Sequence, residues 1–249
     1  MGNIICFYGS DHKTGVTMIS QCAAEALSSD VPGLNVALVH AEDASGCDYS
    51  PGVRVNLEGL LPYLRKYSLD LNELAEKSRY RRGLSIIEGV TSPENAEEFD
   101  PGMMKFLLEG LAGCFDLVLC SCGSDINSGT GLGALLAADK RYLVMAPRES
   151  AVRRFEMVRS IFRLMELDFD RIILNRFGSR SIFSPSYLGS RLSMDKNRIL
   201  TVRESRYGDL CEVDEKSLLG YRDGAFKRDM ASLKAMIKAD CGSEEARHG

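Results

Sequence analysis

Residues 9–18 put glycine, hydroxyls and a lysine into one turn: Gly9, Ser10, Asp11, His12, Lys13, Thr14, Gly15, Val16, Thr17 and Met18. A glycine-bearing turn between a strand and a helix can bind phosphate, because backbone N–H groups and the positive helix end converge on the anion. The full phosphate-loop pattern is Gly-x4-Gly-Lys-Ser/Thr. Gly15 and Thr17 match it, whereas Ser10 stands at the first glycine position and Val16 at the lysine position. Phosphoryl transfer relies on positive charge held around the developing transition state. Lys13 is the residue inside the turn able to supply it. His12 would help when protonated, and Asp11 works against both. A second oddity is Cys120-Ser121-Cys122, where alternation along a strand points both thiols to one face. They read either as reduced core cysteines or, in a symmetric dimer, as two pairs offering four thiolates to a metal.

These residues need elements to position them, and the apolar runs supply the order. Asn3–Tyr8, Asn35–His40, Leu84–Glu88, Leu117–Cys120, Arg141–Ala146, Arg171–Leu174 and Arg198–Val202 read as buried strands. Helices are expected over Thr17–Leu27, Leu57–Lys66, Leu69–Lys77, Pro101–Gly113, Ala134–Ala138, Ala151–Glu166 and Ala225–Ala239. The stretch from Cys122 to Gly133 reads as a loop, and Phe177–Asn197 as a loop or lid. Strands that are apolar throughout, alternating with helices, imply an α/β fold: a doubly wound, mostly parallel sheet with helices on both faces. One domain over residues 1–240 is expected, with a disordered tail at 241–249.

Bulk composition fits such a domain. With 45% hydrophobic and 27% charged residues the chain can build a full core. A net charge of −4 argues against wholesale nucleic-acid binding, although a local basic patch remains compatible with it. The eight cysteines include no CxxC pair and several lie in apolar runs, which suits reduced thiols. No charged segment followed by an apolar run opens the chain, and no apolar stretch reaches membrane-spanning length, so a cytoplasmic protein is expected. Arg148, Arg153, Arg154, Arg159 and Arg163 lie along one helix and its entry. They read as a solvated face paired with Glu149 and Glu156, or as a partner or weak non-specific DNA contact. His40, at a strand end, reads as solvent-facing or hydrogen-bonded.

Several segments together carry a resemblance. Asp11–Thr17 stands where a deviant loop Lys-Gly-Gly-x-Gly-Lys-Thr would be. His40-Ala41-Glu42 stands where two aspartates separated by one residue would end the second strand. Phe115-Asp116 introduces the middle strand, with Ser121 at the place of a magnesium-linked aspartate, and Asn175-Arg176 closes a later strand. Residues 89–97 and 144–150 fit as well. In order and content the chain resembles the MinD/ParA family of P-loop ATPases, and within it the TadZ/CpaE-type localisation proteins of pilus assembly. The resemblance spans roughly residues 3–235.

It implies ATP, with magnesium, bound at Ser10, Asp11, His12, Lys13, Thr14, Gly15, Val16, Thr17 and Met18. Asn175 would read adenine with Arg176 beside it, Thr17 would hold the metal, and Lys13 and Glu42 would carry any catalysis. Two family lysines are replaced by Asp11 and Val16. Each charge-assisted hydrogen bond contributes about 1.5–3 kcal/mol, so their loss corresponds to on the order of a hundredfold to more than ten-thousandfold in rate or affinity. The expected function is a homodimeric, weak or inactive ATPase acting as a localisation or assembly factor of a Flp/Tad pilus or related positioning system. Recruitment to a cell pole or membrane complex would pass through protein partners. The alternatives are an active ParA-type partition ATPase using Lys13, and a metal-handling dimer using Cys120 and Cys122.

Overall fold

Strands that are apolar on both faces must be covered on both faces, which places them in the middle of a layered domain. The computed structural model describes residues 2–30, 33–44 and 46–245. Along the chain run β1 (Asn3–Gly9), α1 (Val16–Asp30), β2 (Val36–His40), α2 (Leu57–Leu64), α3 (Leu71–Lys77), β3 (Arg79–Arg81), β4 (Leu84–Ile87), α4 (Pro93–Ala96) and α5 (Pro101–Ala112). There follow β5 (Leu117–Ser121), α6 (Gly129–Ala137), β6 (Lys140–Met145), α7 (Glu149–Leu164), β7 (Arg171–Phe177), α8 (Pro185–Leu192), β8 (Ile199–Arg203), α9 (Gly208–Val213) and α10 (Gly224–Glu245).

The sheet has the order β3-β4-β2-β5-β1-β6-β7-β8 and is parallel except for the β3–β4 pair. Period-two alternation splits β1 between two cores. Ile4, Cys6 and Tyr8 face the side covered by α5, α6 and α7, while Ile5 and Phe7 face α1 and α10. β1 lies between β5 and β6, so its carboxyl end, with those of β2, β5 and β7, forms the rim where a doubly wound sheet binds ligands. The expected fold class is what the structure contains.

Differences from expectation are local. Arg79–Arg81 pairs antiparallel with β4, and its three residues are too short to show alternation. α6 starts at Gly129, because Ser128 caps the N–H of Gly131 and starts the helix ahead of the apolar run. The expected lid contains α8, started by Ser184 capping Tyr187 and Pro185 at the first helical position. α10 continues through Glu245, so residues 241–245 of the expected tail are helical; residues 246–249 lie outside the described residues.

The end of α10 is tied to the sheet by one carboxylate. Asp240 accepts from the Tyr142 hydroxyl at 2.6 Å and from Arg171 Nε at 3.0 Å. Burial raises its pKa, but the Arg171 and Tyr142 hydrogen bonds outweigh that, and the net shift is downward. A carboxylate with a lowered folded pKa stabilises above its unfolded pKa and loses that contribution as pH falls through the folded value. Asp240→Ala is therefore expected to destabilise the protein by about 2–3 kcal/mol at neutral pH in urea unfolding. The deficit should shrink on acidification below about pH 4.

Candidate functional site

The turn after β1 is held from three sides. Gly9 N–H donates to Gly123 O at 2.7 Å and Ser10 N–H to Val144 O at 2.9 Å, fixing where the chain leaves the sheet. Thr14 Oγ1 donates back to Asp11 O at 3.2 Å. Across β6, the Asn175 Nδ2–H group donates to Thr14 O at 2.8 Å. That reach depends on Gly15: its φ is +86°, and an added Cβ would lie 2.4 Å from Asn175 Nδ2. The β7–β8 ladder shifts register between Leu174 and Phe177, a bulge that re-aims a side chain and here coincides with Asn175 and Arg176.

The turn opens into a cleft of about 530 Å³. Asp11, His12, Lys13, Thr14, Gly15, Val16, Thr17 and Met18 all line it, as does Arg176. Ser10 does not. Its side chain is buried, and its Oγ has no partner among the described residues. Asn175 lies instead on a neighbouring cleft of about 650 Å³, which shares Gly15, Met18, Tyr49, Arg176 and Glu212 with the first. With its amide engaged by Thr14 and only 7% of the residue exposed, Asn175 shapes the turn in this structure, where adenine reading was expected.

Oxygen donors meet at the foot of α1. Thr17 Oγ1 donates to Glu42 Oε1 at 3.3 Å, and Ser121 Oγ donates to the same oxygen. Burial pushes the Glu42 carboxyl upward, only partly offset by these hydroxyls. One carboxylate and two hydroxyls form an all-oxygen set, which suits magnesium held mainly through water and phosphate. The residues fit that ion, and Thr17 and Glu42 are the groups that would hold it.

Other expected residues are less suited to chemistry. Val16 is buried, and its Cγ2 packs where a side chain on Gly9 would be. Lys13 takes φ +58°, is exposed, and has no ion-pair partner among the described residues. His40 is fully buried, neither facing solvent nor hydrogen-bonded. Both ring nitrogens lack partners among the described residues, and burial pushes its pKa down to about 4. The ring is neutral at physiological pH, packed under Gly46. Cys120 and Cys122 are likewise inside the core with Cys6, and burial holds both thiols well above the usual range. At 0% and 1% exposure these thiols are not presented to a partner subunit in this structure, against what the metal-handling dimer requires. Among the described residues no cluster of three or more histidine, cysteine or acidic groups is arranged for a metal.

Half of the acidic lining was not evident from the sequence. Asp11, Glu42, Asp43, Asp48, Asp125 and Glu212 face the cleft against Lys13 and Arg176. Asp43 accepts from Ser128 Oγ at 2.8 Å and from Thr130 Oγ1 at 3.3 Å, tying the β2 exit to α6. Asp43, next to Glu42, was visible in sequence; Asp48, Asp125 and Glu212 come from loops and α9, which carry no periodic signal.

Asn175→Ala leaves the buried Thr14 carbonyl without its donor, for an expected loss of about 1–3 kcal/mol. Gly15→Ala adds a strained φ and a clash with the same amide. Because the two substitutions share one contact, the double variant should be less destabilised than the sum of the singles in thermal melts.

No family model matches the chain, and no curated protein matches it in sequence. Solved structures do. A ParA family ATPase from Chlorobium tepidum TLS superposes with a TM-score of 0.81 at 16% identity, over 94% of this chain and 99% of that one. The septum site-determining protein MinD complexed with Mg-ADP, from Pyrococcus horikoshii OT3, gives 0.73 at 19% identity over 96% and 99%. The MinC:MinD cell division complex of Aquifex aeolicus gives 0.72 at 17% over 95% and 96%. The chain therefore has the fold of the ParA/MinD-type P-loop ATPases.

Proposed function

We propose that this protein binds an adenine nucleotide with magnesium at the Gly15–Thr17 turn and hydrolyses it slowly or not at all. The observation that carries the reading is the turn itself. Gly15 is left-handed, Thr17 lies in the first turn of a 15-residue helix beside Glu42, and both lie in a cleft at the carboxyl end of the central strand. The phosphates would take the first cleft and the base the second, which meet at Gly15, Met18 and Arg176. Each falls within the size range of small-molecule sites. A MinD of the same fold has been solved with Mg-ADP, which supports the same ligand class.

Slow hydrolysis follows from what the turn lacks. Val16 cannot hold phosphate charge, and the neutral, enclosed His40 stands where the resemblance places a water-linked aspartate. The finer reading is a homodimeric localisation or assembly factor of the TadZ/CpaE kind, acting in the cytoplasm through protein partners. Its support is the sequence resemblance and the MinC:MinD complex among structures of this fold. Among the described residues no helix is long and apolar enough to cross a membrane. A second reading, an active partition-type ATPase, is favoured by one observation: Lys13 is exposed on the cleft and free of ion pairs among the described residues.

Calorimetry with ATP and ADP, with and without magnesium, tests the proposal. Six carboxylates facing two cations repel an unchelated triphosphate, so binding should require magnesium and disappear with EDTA. Turnover that is slow or at background is expected. Steady turnover abolished by Lys13→Ala would establish the second reading, and absence of any nucleotide binding would overturn both.

A further inference from the structure

Asp11 puts a negative charge at the edge of a turn suited to anions, and that charge is answered from outside the turn. Its side chain is 17% exposed and lies 3.5 Å from Arg148 Nη2 and 3.5 Å from Arg154 Nε. Arg148 Nη2 also donates to His12 O at 2.8 Å. Arg154 Nη2 lies 3.3 Å from His12 Nε2, and Ser124 Oγ lies 3.1 Å from His12 Nδ1. A guanidinium only donates, so Nε2 accepts and the proton of a neutral ring sits on Nδ1, facing Ser124. The two arginines thus grip residues 11 and 12, from the entry and the second turn of α7.

Other carboxylates nearby are already engaged. Glu149 pairs with Arg153 and Arg191, and Glu156 with Arg191. Among the described residues, Asp11 is the acid paired with Arg148 and Arg154. Contacts of 3.5 Å are longer than the 2.7–2.9 Å typical of a strong guanidinium–oxyanion bond. Both arginine side chains are also 47% exposed, so a phosphate oxygen could approach them more closely than Asp11 does. Planar, forked donors suit phosphate recognition in a way the missing lysines would not.

We propose that Asp11 is an internal stand-in for a phosphate: Arg148 and Arg154 are the cations the turn lacks, and the terminal phosphate of a bound polyphosphate displaces the Asp11 carboxylate from them. This rests on the reading of the cleft as a nucleotide site and assigns its terminal-phosphate contacts. It makes the pair specificity-determining, because the phosphate assigned to the guanidiniums is the terminal one of a triphosphate, which a diphosphate lacks.

The test is calorimetric titration of the full-length protein with Mg·ATP, Mg·ADP and magnesium tripolyphosphate. The variants are Asp11→Asn, Arg148→Ala/Arg154→Ala, and the three changes combined, each checked for a cooperative thermal melt. Asp11→Asn, which keeps the shape and removes the competitor, should tighten Mg·ATP and tripolyphosphate by roughly tenfold, the equivalent of about 1.4 kcal/mol. Mg·ADP should change far less. The gain should vanish without the arginines. If the double arginine variant does not melt cooperatively, Arg154→Gln replaces it and should remove much of the gain.

An Asp11→Asn gain that survives loss of the arginines would reduce the effect to relief of simple repulsion and overturn the proposal. Unchanged or weaker tripolyphosphate binding in Asp11→Asn would overturn it too. A tripolyphosphate response of the expected form with no binding of ATP or ADP would leave the assignment of Asp11 and the arginines standing and remove the nucleotide reading.

Discussion

The site depends on the bond from the Asn175 amide to the Thr14 carbonyl. It crosses from β7 over β6 to the turn that follows β1, and joins a bulge near one side of the sheet to the start of α1. Gly15 is required twice over: for a backbone angle that side chains rarely adopt, and for the absence of an atom where the amide must pass. The strand–turn–helix frame is therefore fixed by tertiary contacts rather than by local sequence alone. A turn anchored this way keeps its shape even though the lysine usual at position 16 is absent.

Charge is distributed in an unusual way around that frame. Inside the cleft the balance is acidic, with six carboxylates against Lys13 and Arg176. Additional positive charge sits one layer out, on Arg148 and Arg154, where Asp11 engages it. Beside that frame stand Glu42, with a raised pKa and two hydroxyl donors, and the neutral, enclosed His40. The thiols of Cys6, Cys120 and Cys122 pack in the core on the side of the sheet covered by α5, α6 and α7, with Cys122 reaching the edge of the cleft.

How much could be read from sequence follows from which signals are local. Strand runs such as Asn3–Tyr8 and Leu117–Cys120 announce themselves because burial on both faces demands apolar residues throughout. Gly15 and Thr17 were legible because the turn constrains their types and spacing, and Asn175 because Asn175-Arg176 carries part of the family resemblance. The role of Asn175 was not, since nothing in Asn175-Arg176 reveals that β7 lies two strands from β1 with a bulge that turns the amide toward Thr14. His40 looked like a residue for the rim because it ends a strand; Gly46, six residues on, folds over it. The lid expected from the serines and arginines of 177–197 contains a capped helix, since Ser184 and Pro185 start one as readily as they break one. Arg148 and Arg154 were read as part of a helical stripe, because sequence gives their spacing but not the turn beside which α7 lies.

The most direct measurement is a crystal structure grown with ATP and magnesium. The account predicts the phosphate chain against the backbone of Gly15–Thr17, the ion on Thr17 with Glu42 close by, and the base in the cleft beside Asn175 and Arg176. A nucleotide bound elsewhere, or an empty cleft at saturating ATP, would contradict it.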